Sequence, residues 1–410
     1  MARSAPLGWR RMLLVLGPGL LAQLANTDAG SIITAAESGA RWGYRLLLLQ
    51  VLIIPVLYMT QELTVRLGLG TGKGYAELVR ERFGRVWAFL SIGTLIASCF
   101  GALVAQMTGL AGVGEAFGIP VWQTIAATVA LIFGMVLTGS YHSVERIAIA
   151  LGLFELGFLA VAWTAHPDPG QIVAQLADAP VGNPGYLYLL AANLGTSIMP
   201  WTIVYQQSAV VDKGLTREHL GIARIDTLIG AVLCQVITAA IVIAAAATLG
   251  RGGSDPSLGS VSAIAMAFVP SLGEAVGRGV FALGLAGGAL VATVVVCLTA
   301  AWSIGETIGV RHSLEHHPRE APWFYAVFGI ALVAGGTLVA SGINLVRLAI
   351  AVGVINVLLL PVMLGFLYRL ARTALAPADR LRGAYAAIVG IVFLAVAGFG
   401  VYAGVVGALG

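Results

Sequence analysis

An acid, Asp28, stands inside a run apolar enough for a membrane: Met12 to Ala25, then Asn26-Thr27-Asp28-Ala29-Gly30-Ser31, then Ile32 and Ile33. A carboxylate at a bilayer centre costs roughly 2.5 to 3.5 kcal/mol on insertion scales, so it faces a cavity, a partner or an ion. Gly30 frees the backbone, and Thr27 and Ser31 compete locally for its hydrogen bonds, so the helix is expected to unwind here. Unwound backbone at that depth is tolerated only where its carbonyls line a cavity or meet a ligand. The pattern predicts a cation site between two half-helices, with Asp28 as its negative centre. A second interruption is expected at Gly195-Thr196-Ser197-Ile198-Met199-Pro200-Trp201, where Pro200 removes a helix donor and clashes with the preceding turn. Met199 adds a thioether, a soft ligand suited to transition metals. The Ser31 hydroxyl and the carbonyls around Thr196 are candidate oxygen ligands.

Other polar residues within or near the spans carry weaker expectations. Glu37, Glu155, Asp226 and Glu306 could line an ion route or simply reach the interface. Gln106, Gln235 and Asn356 are expected to bridge helices by hydrogen bonds. His142, His312 and the Glu315-His316-His317 cluster read as solvated loops. Cys99, Cys234 and Cys297 lie in apolar runs without CxxC spacing and read as small core residues.

The elements that must position these groups are membrane helices. Of 410 residues 59% are apolar and 10% charged, against about 25% charged in a soluble domain. Apolar segments long enough for about 30 Å of hydrocarbon fall near 12–39, 44–66, 86–112, 120–139, 146–165, 184–211, 222–249, 277–308, 321–340, 344–368 and 383–408. An all-α membrane protein of eleven transmembrane helices is therefore expected, as a single domain over 1–410. The two interrupted spans lie five apart, so residues 12–165 and 184–368 form two five-helix blocks of opposite topology, followed by an extra helix at 383–408. Inverted repeats with broken first and sixth helices place a substrate site at the paired breaks. With an inside amino terminus, 18 of the 23 basic residues fall on the inside, which favours a cytoplasmic amino terminus and an extracytoplasmic carboxyl terminus in the cell membrane. The loop 73–85 is expected to form a short interfacial helix.

These residues resemble the Nramp family of divalent metal transporters. The family's first-span Asp-Pro-Gly-Asn reads here Asp28-Ala29-Gly30-Ser31, between Gly17-Pro-Gly-Leu-Leu and Glu37-Ser-Gly-Ala-Arg-Trp-Gly-Tyr. The second-span run from Arg66 to Leu78 matches closely, and Met199-Pro200-Trp201-Thr202 is similar to the sixth-span Met-Pro-His-Asn. The resemblance implies a LeuT-like fold and a metal site of Asp28, Ser31, Thr196 and Met199, lined by Ala29, Gly30, Trp201 and Gly353. It also has departures. Ser31 stands for the family Asn, Ala29 for its Pro, Trp201 for its His, and Gly353 for a tenth-span Gln eight residues before Pro361. Residues 90–112 hold no acid, and 321–340 no arginine, where the family continues a proton route. That pattern is closest to the Nramp-related magnesium transporters.

The leading expectation is an uncoupled carrier of Mg2+ and Mn2+, with the metal as substrate, no cofactor, no nucleic-acid partner and a monomeric state in the lipid bilayer. Met199 weighs against a pure Mg2+ carrier, because that ion prefers oxygens. One alternative is a proton-coupled Mn2+/Fe2+ symporter using Glu37, Glu155 or Asp226. Another is an organic-amine or amino-acid carrier, with Asp28 pairing an ammonium group and Trp201 forming a wall. No Ser/His/Asp, HExxH or paired-Cys arrangement points to an enzyme.

Overall fold

A computed structural model describes residues 17–137, 141–249, 261, 264–265, 273–309, 319–341 and 345–409. The start of the first expected span at 12–16, and the cluster of His312, Glu315, His316 and His317, lie outside the described residues, as does the side chain of His142. The described chain is built of helices, with no strand among the described residues.

The first expected span is two helices, α1 (Pro18–Asn26) and α2 (Ala29–Trp42). Helices α3 (Leu47–Thr71), α4 (Tyr75–Phe83), α5 (Arg85–Ala116) and α6 (Val121–Val136) follow. The fifth span is α7 (Tyr141–Gly152), a tighter turn at Leu153–Leu156, and α8 (Gly157–Thr164). A short α9 (Pro169–Leu176) precedes the second broken span, α10 (Pro184–Ser197) and α11 (Pro200–Asp212). The chain closes with α12 (Leu220–Leu249), α13 (Glu274–Ile308), α14 (Pro322–Ala340), α15 (Leu345–Thr373) and α16 (Gly383–Leu409).

Both interruptions fall where the sequence places them, and α4 is the expected short helix in the loop 73–85. The expected eleven spans are not all met by helix length and apolarity alone. Among the described residues nine helices satisfy both. The first span is divided at Thr27–Asp28, and α6 has 16 residues, short of the roughly 20 that cross a bilayer upright. Two features were not expected: the tight turn inside span five and α9 within the loop after it.

The broken spans form the centre. The most apolar stretch of Pro184–Asp212 is 94% buried, against 33% for α14 and for α16, so the outer helices keep apolar faces for lipid while the broken ones are enclosed by protein. In α2 every residue from Ala29 to Ala40 is buried. Helix α12 packs along α1, α2 and α3, helix α13 along α5, α1 and α11, and α15 along α10 and α5.

Small residues allow this close approach. A side chain on Gly109 of α5 would strike the Ala29 methyl, and one on Gly195 of α10 would strike the Gly353 carbonyl of α15. Asp226 of α12 fixes the start of α1. Its carboxylate accepts from the backbone N–H groups of Gly19 (2.7 Å), Gly17 (3.2 Å) and Leu20 (3.3 Å). Those donors have no intrahelical acceptor in a helix's first turn.

Candidate metal site

Asp28 is extended (φ −80°, ψ 178°) and caps α2, its Oδ1 accepting from the Ser31 amide at 2.7 Å. This satisfies an orphan donor and puts a negative charge at the positive end of the α2 dipole. Its Oδ2 accepts from Gln106 Nε2 of α5 at 2.6 Å, and Gln106 Oε1 in turn accepts from the Ala29 amide at 3.0 Å. The carboxylate is therefore oriented from two sides and 2% exposed.

The carboxyl-terminal ends of α1 and α10 meet beside it. Asn26 Nδ2 donates to the Ser197 carbonyl at 2.5 Å. The Ser31 hydroxyl lies 2.8 Å from the Asn26 carbonyl and 2.9 Å from the Thr196 carbonyl. A hydroxyl has one proton, so only one of these carbonyls receives it at a time, while both hydroxyl lone-pair positions stay available. Helix carboxyl ends carry partial negative charge. Around the breaks the chain thus gathers one carboxylate, one hydroxyl and the end carbonyls of two half-helices, a donor set of oxygens that suits a hard or borderline cation.

Met199 occupies the cap position of α11, in extended conformation and 1% exposed, with its carbonyl accepting from the Thr202 hydroxyl at 2.8 Å. Trp201 follows in the first turn of α11, fully buried, its indole N–H without a hydrogen-bond partner among the described residues. Gly30 keeps the cap open: a side chain there would begin 3.3 Å from Asp28 Oδ1. Ala29 packs on α5 at Gly109.

Gly353 lies against α10 beside Thr196. A side chain at 353 would begin 2.9 Å from both the Ala192 carbonyl and the Thr196 methyl carbon. The glycine thus serves close packing of α15 on α10, and its small size does not by itself widen a pocket.

Gln106 had been expected only as a bridge between helices. It does bridge them, yet it also holds the carboxylate and the first amide of α2. As the longest polar side chain in residues 90–112 it was the visible signal. Asn26, in the same polar run as Asp28, joins the two broken spans. Asn356 acts as expected, accepting from the Ser98 hydroxyl of α5 at 2.7 Å. Among the described residues no three His, Cys, Asp or Glu side chains converge tightly enough to hold a metal by themselves.

The acids divide by what they touch. Asp226 caps α1. Glu306 accepts from the Ala76 amide of α4 at 3.0 Å and from the Ser208 hydroxyl at 2.7 Å. Glu37 pairs with Arg41 at 2.6 Å. Glu62, buried in α3, takes Arg66 and Arg224 on one oxygen, each at 2.7 Å.

Over residues 19–405 the chain matches the family described as Nramp, natural resistance-associated macrophage protein-like. A divalent metal cation transporter MntH from Brucella suis is 30% identical over 290 residues, 68% of this chain and 63% of that protein. The MntH of Deinococcus radiodurans is 28% identical over 66% of this chain and 64% of its own length. The matches to these two relatives thus span just under two thirds of their length. In Vibrio campbellii MntH the match is 28% identical and reaches 85% of this chain and 84% of the relative. A solved Eremococcus coleocola manganese transporter, in complex with an aromatic bis-isothiourea substituted compound, superimposes with a TM-score of 0.78 at 18% identity, covering 100% of this chain and 90% of that one. MhsT in complex with L-phenylalanine shares the fold with a TM-score of 0.62 at 14% identity, covering 96% of this chain and 97% of that one.

Proposed function

The chain belongs to the Nramp family, and on that premise we propose that it carries divalent metal cations, Mn2+ and Mg2+, across the cell membrane without coupled protons. The observation that carries this reading is the Asp28 carboxylate, buried where the carboxyl ends of α1 and α10 meet. One full negative charge and several oxygens, enclosed by protein at the breaks of two central helices, suit a small cation that exchanges direct ligands for part of its water shell. Relatives named for divalent metal cation transport support the substrate class.

The metal-binding residues are Asp28, Ser31, the Thr196 carbonyl and Met199, with Ala29, Gly30 and Trp201 around them. Absence of proton coupling is supported by what adjoins Asp28. Gln106 is an amide and Trp201 an indole, and neither titrates in the physiological range. Of the three acids weighed for a relay, Asp226 and Glu37 are occupied in capping and ion pairing, which leaves Glu155, buried within electrostatic reach of Asp28, as the group through which coupling would have to run. A divalent ion gains about 4.6 kcal/mol per 100 mV, twice the roughly 2.3 per elementary charge, so membrane potential suffices as a driving force. The protein works as a monomer with a cytoplasmic amino terminus, its two inverted repeats being 12–165 and 184–368.

Uptake into proteoliposomes containing an internal pH dye tests the reading, with Mg2+, Mn2+, Fe2+ and Ca2+ supplied in turn. Mn2+ and Mg2+ should enter, faster with a negative interior, and the dye should stay constant. Metal-dependent acidification at a fixed proton-to-metal ratio would overturn the uncoupled mechanism.

A further inference from the structure

Glu155 lies in the tight turn Leu153–Leu156 that interrupts the fifth span, and it is fully buried. Both of its carboxylate oxygens lack a hydrogen-bond partner among the described residues. The acids described above are engaged by arginines or helix amides; beside this one stands only the Thr27 hydroxyl among the described residues. The Thr27 hydroxyl neighbours Glu155 and also lies 3.4 Å from the Gln23 carbonyl, and its one proton serves one of them at a time. A buried carboxylate without strong donors is costly unless it takes a proton or a positive charge comes to it.

The carboxylate faces the break in the first span. A side chain on Gly288 of α13 would begin 2.5 Å from the Thr27 carbonyl oxygen and 2.8 Å from Glu155 Oε1. The glycine therefore leaves room for both oxygens on one face of α13. Glu155 is also within electrostatic reach of Asp28. Asn26, next along the chain, has an Oδ1 without a partner among the described residues, and its Nδ2 contacts Cys234 Sγ of α12 at 3.7 Å. Gln106 approaches Asp28 from α5, while Glu155 reaches the break from span five.

We infer that Glu155 is the second negative charge of the metal site, balancing a divalent cation held at Asp28, with the Thr27 carbonyl between them. This role for Glu155 rests on the transport reading and deepens it. Asp28 alone leaves a divalent ion with one uncompensated positive charge in a protein interior, whereas two carboxylates make the loaded site neutral. Loading then supplies the counter-charge that Glu155 lacks in the empty carrier. An ion that keeps several waters, as Mg2+ does, can reach Glu155 through its hydration shell. This agrees with the lack of three converging side-chain ligands.

The test measures Mn2+ binding to the full-length protein in detergent by calorimetry, and its melting temperature with and without Mn2+. Glu155→Gln should weaken Mn2+ by about tenfold or more, as expected when a unit charge within roughly 10 Å of a divalent ion is lost at an effective dielectric near 20. Its metal-free melting temperature should be equal to or above that of the native protein, since an unpartnered buried charge is removed, while the upward shift caused by Mn2+ shrinks. Glu155→Asp keeps the charge and should recover much of the affinity, which separates a charge effect from a packing one. Native-like Mn2+ affinity in Glu155→Gln would overturn the inference. So would Mn2+-induced proton release that disappears in Glu155→Gln with unchanged affinity, because the group would then carry a proton. If the native protein itself binds no Mn2+, the transport reading fails instead.

Discussion

At Asp28 an observed duty, capping, meets a proposed one, cation binding, on one side chain. Its carboxylate caps α2 through the Ser31 amide and takes Gln106 on its other oxygen, yet an ionised carboxylate offers about four lone-pair positions. Capping and cation binding are thus compatible, and substitution can separate them. Asparagine caps a helix about as well as aspartate, whereas alanine costs about 1 kcal/mol. Asp28→Asn should therefore keep the melting temperature in the absence of metal and lose metal binding, while Asp28→Ala should lose both binding and some stability, measured by calorimetry and thermal melts. Met199, at the cap of α11, makes a softer contribution. Met199→Ala should weaken Mn2+ more than Mg2+ in competition binding, since only the softer ion gains from sulfur. Equal losses would make Met199 a packing residue. The place of Asp28 at a helix break was legible in the sequence, because a lone acid in an apolar run has few reasons to be there. The role of Gln106 was not, because an amide serves equally to bridge helices or hold a carboxylate, and only the crossing of α5 over the α2 terminus distinguishes them.

At the scale of elements, polar caps hold the ends of the broken helices. Asp226 binds three amides at the start of α1. Nearby, Lys213 and Glu145 form a buried pair at 2.9 Å. Asp226→Ala strands those amides and should destabilise the protein by about 1 to 3 kcal/mol, lowering the melting temperature in detergent with Mn2+ affinity largely retained. Loss of affinity at unchanged stability would return Asp226 to the ion route. Gly353 gives the second test at this scale. Because α15 and α10 touch there, Gly353→Gln should strain the helix contact, costing roughly 1 to 3 kcal/mol of overpacking, in place of supplying an amide to the metal. A shift toward Mn2+ at unchanged melting temperature would contradict this. Both helix breaks were legible, since Pro200 and the run from Asn26 to Ser31 are local signals. The turn at Leu153–Leu156 was not, because its sequence is apolar apart from Glu155 and carries no proline or internal glycine.

For the molecule as a whole, the enclosed broken spans and lipid-facing outer helices separate two tasks. Outer helices such as α14 and α16 keep exposed apolar faces, and α1, α2, α10 and α11 enclose the proposed site. Composition and span periodicity were enough to read that architecture. They were not enough to read which acids are engaged, since that depends on contacts between residues some 200 positions apart, as with Asp226 and Gly19. The central claim is that the carboxylate at the first break binds the transported ion. Mn2+ influx into proteoliposomes should be compared for the native protein and Asp28→Asn, reconstituted at equal density after their melting temperatures are shown to match. Saturable influx is expected for the native protein and background leak for Asp28→Asn. Influx through Asp28→Asn at the native rate and half-saturation would contradict the claim.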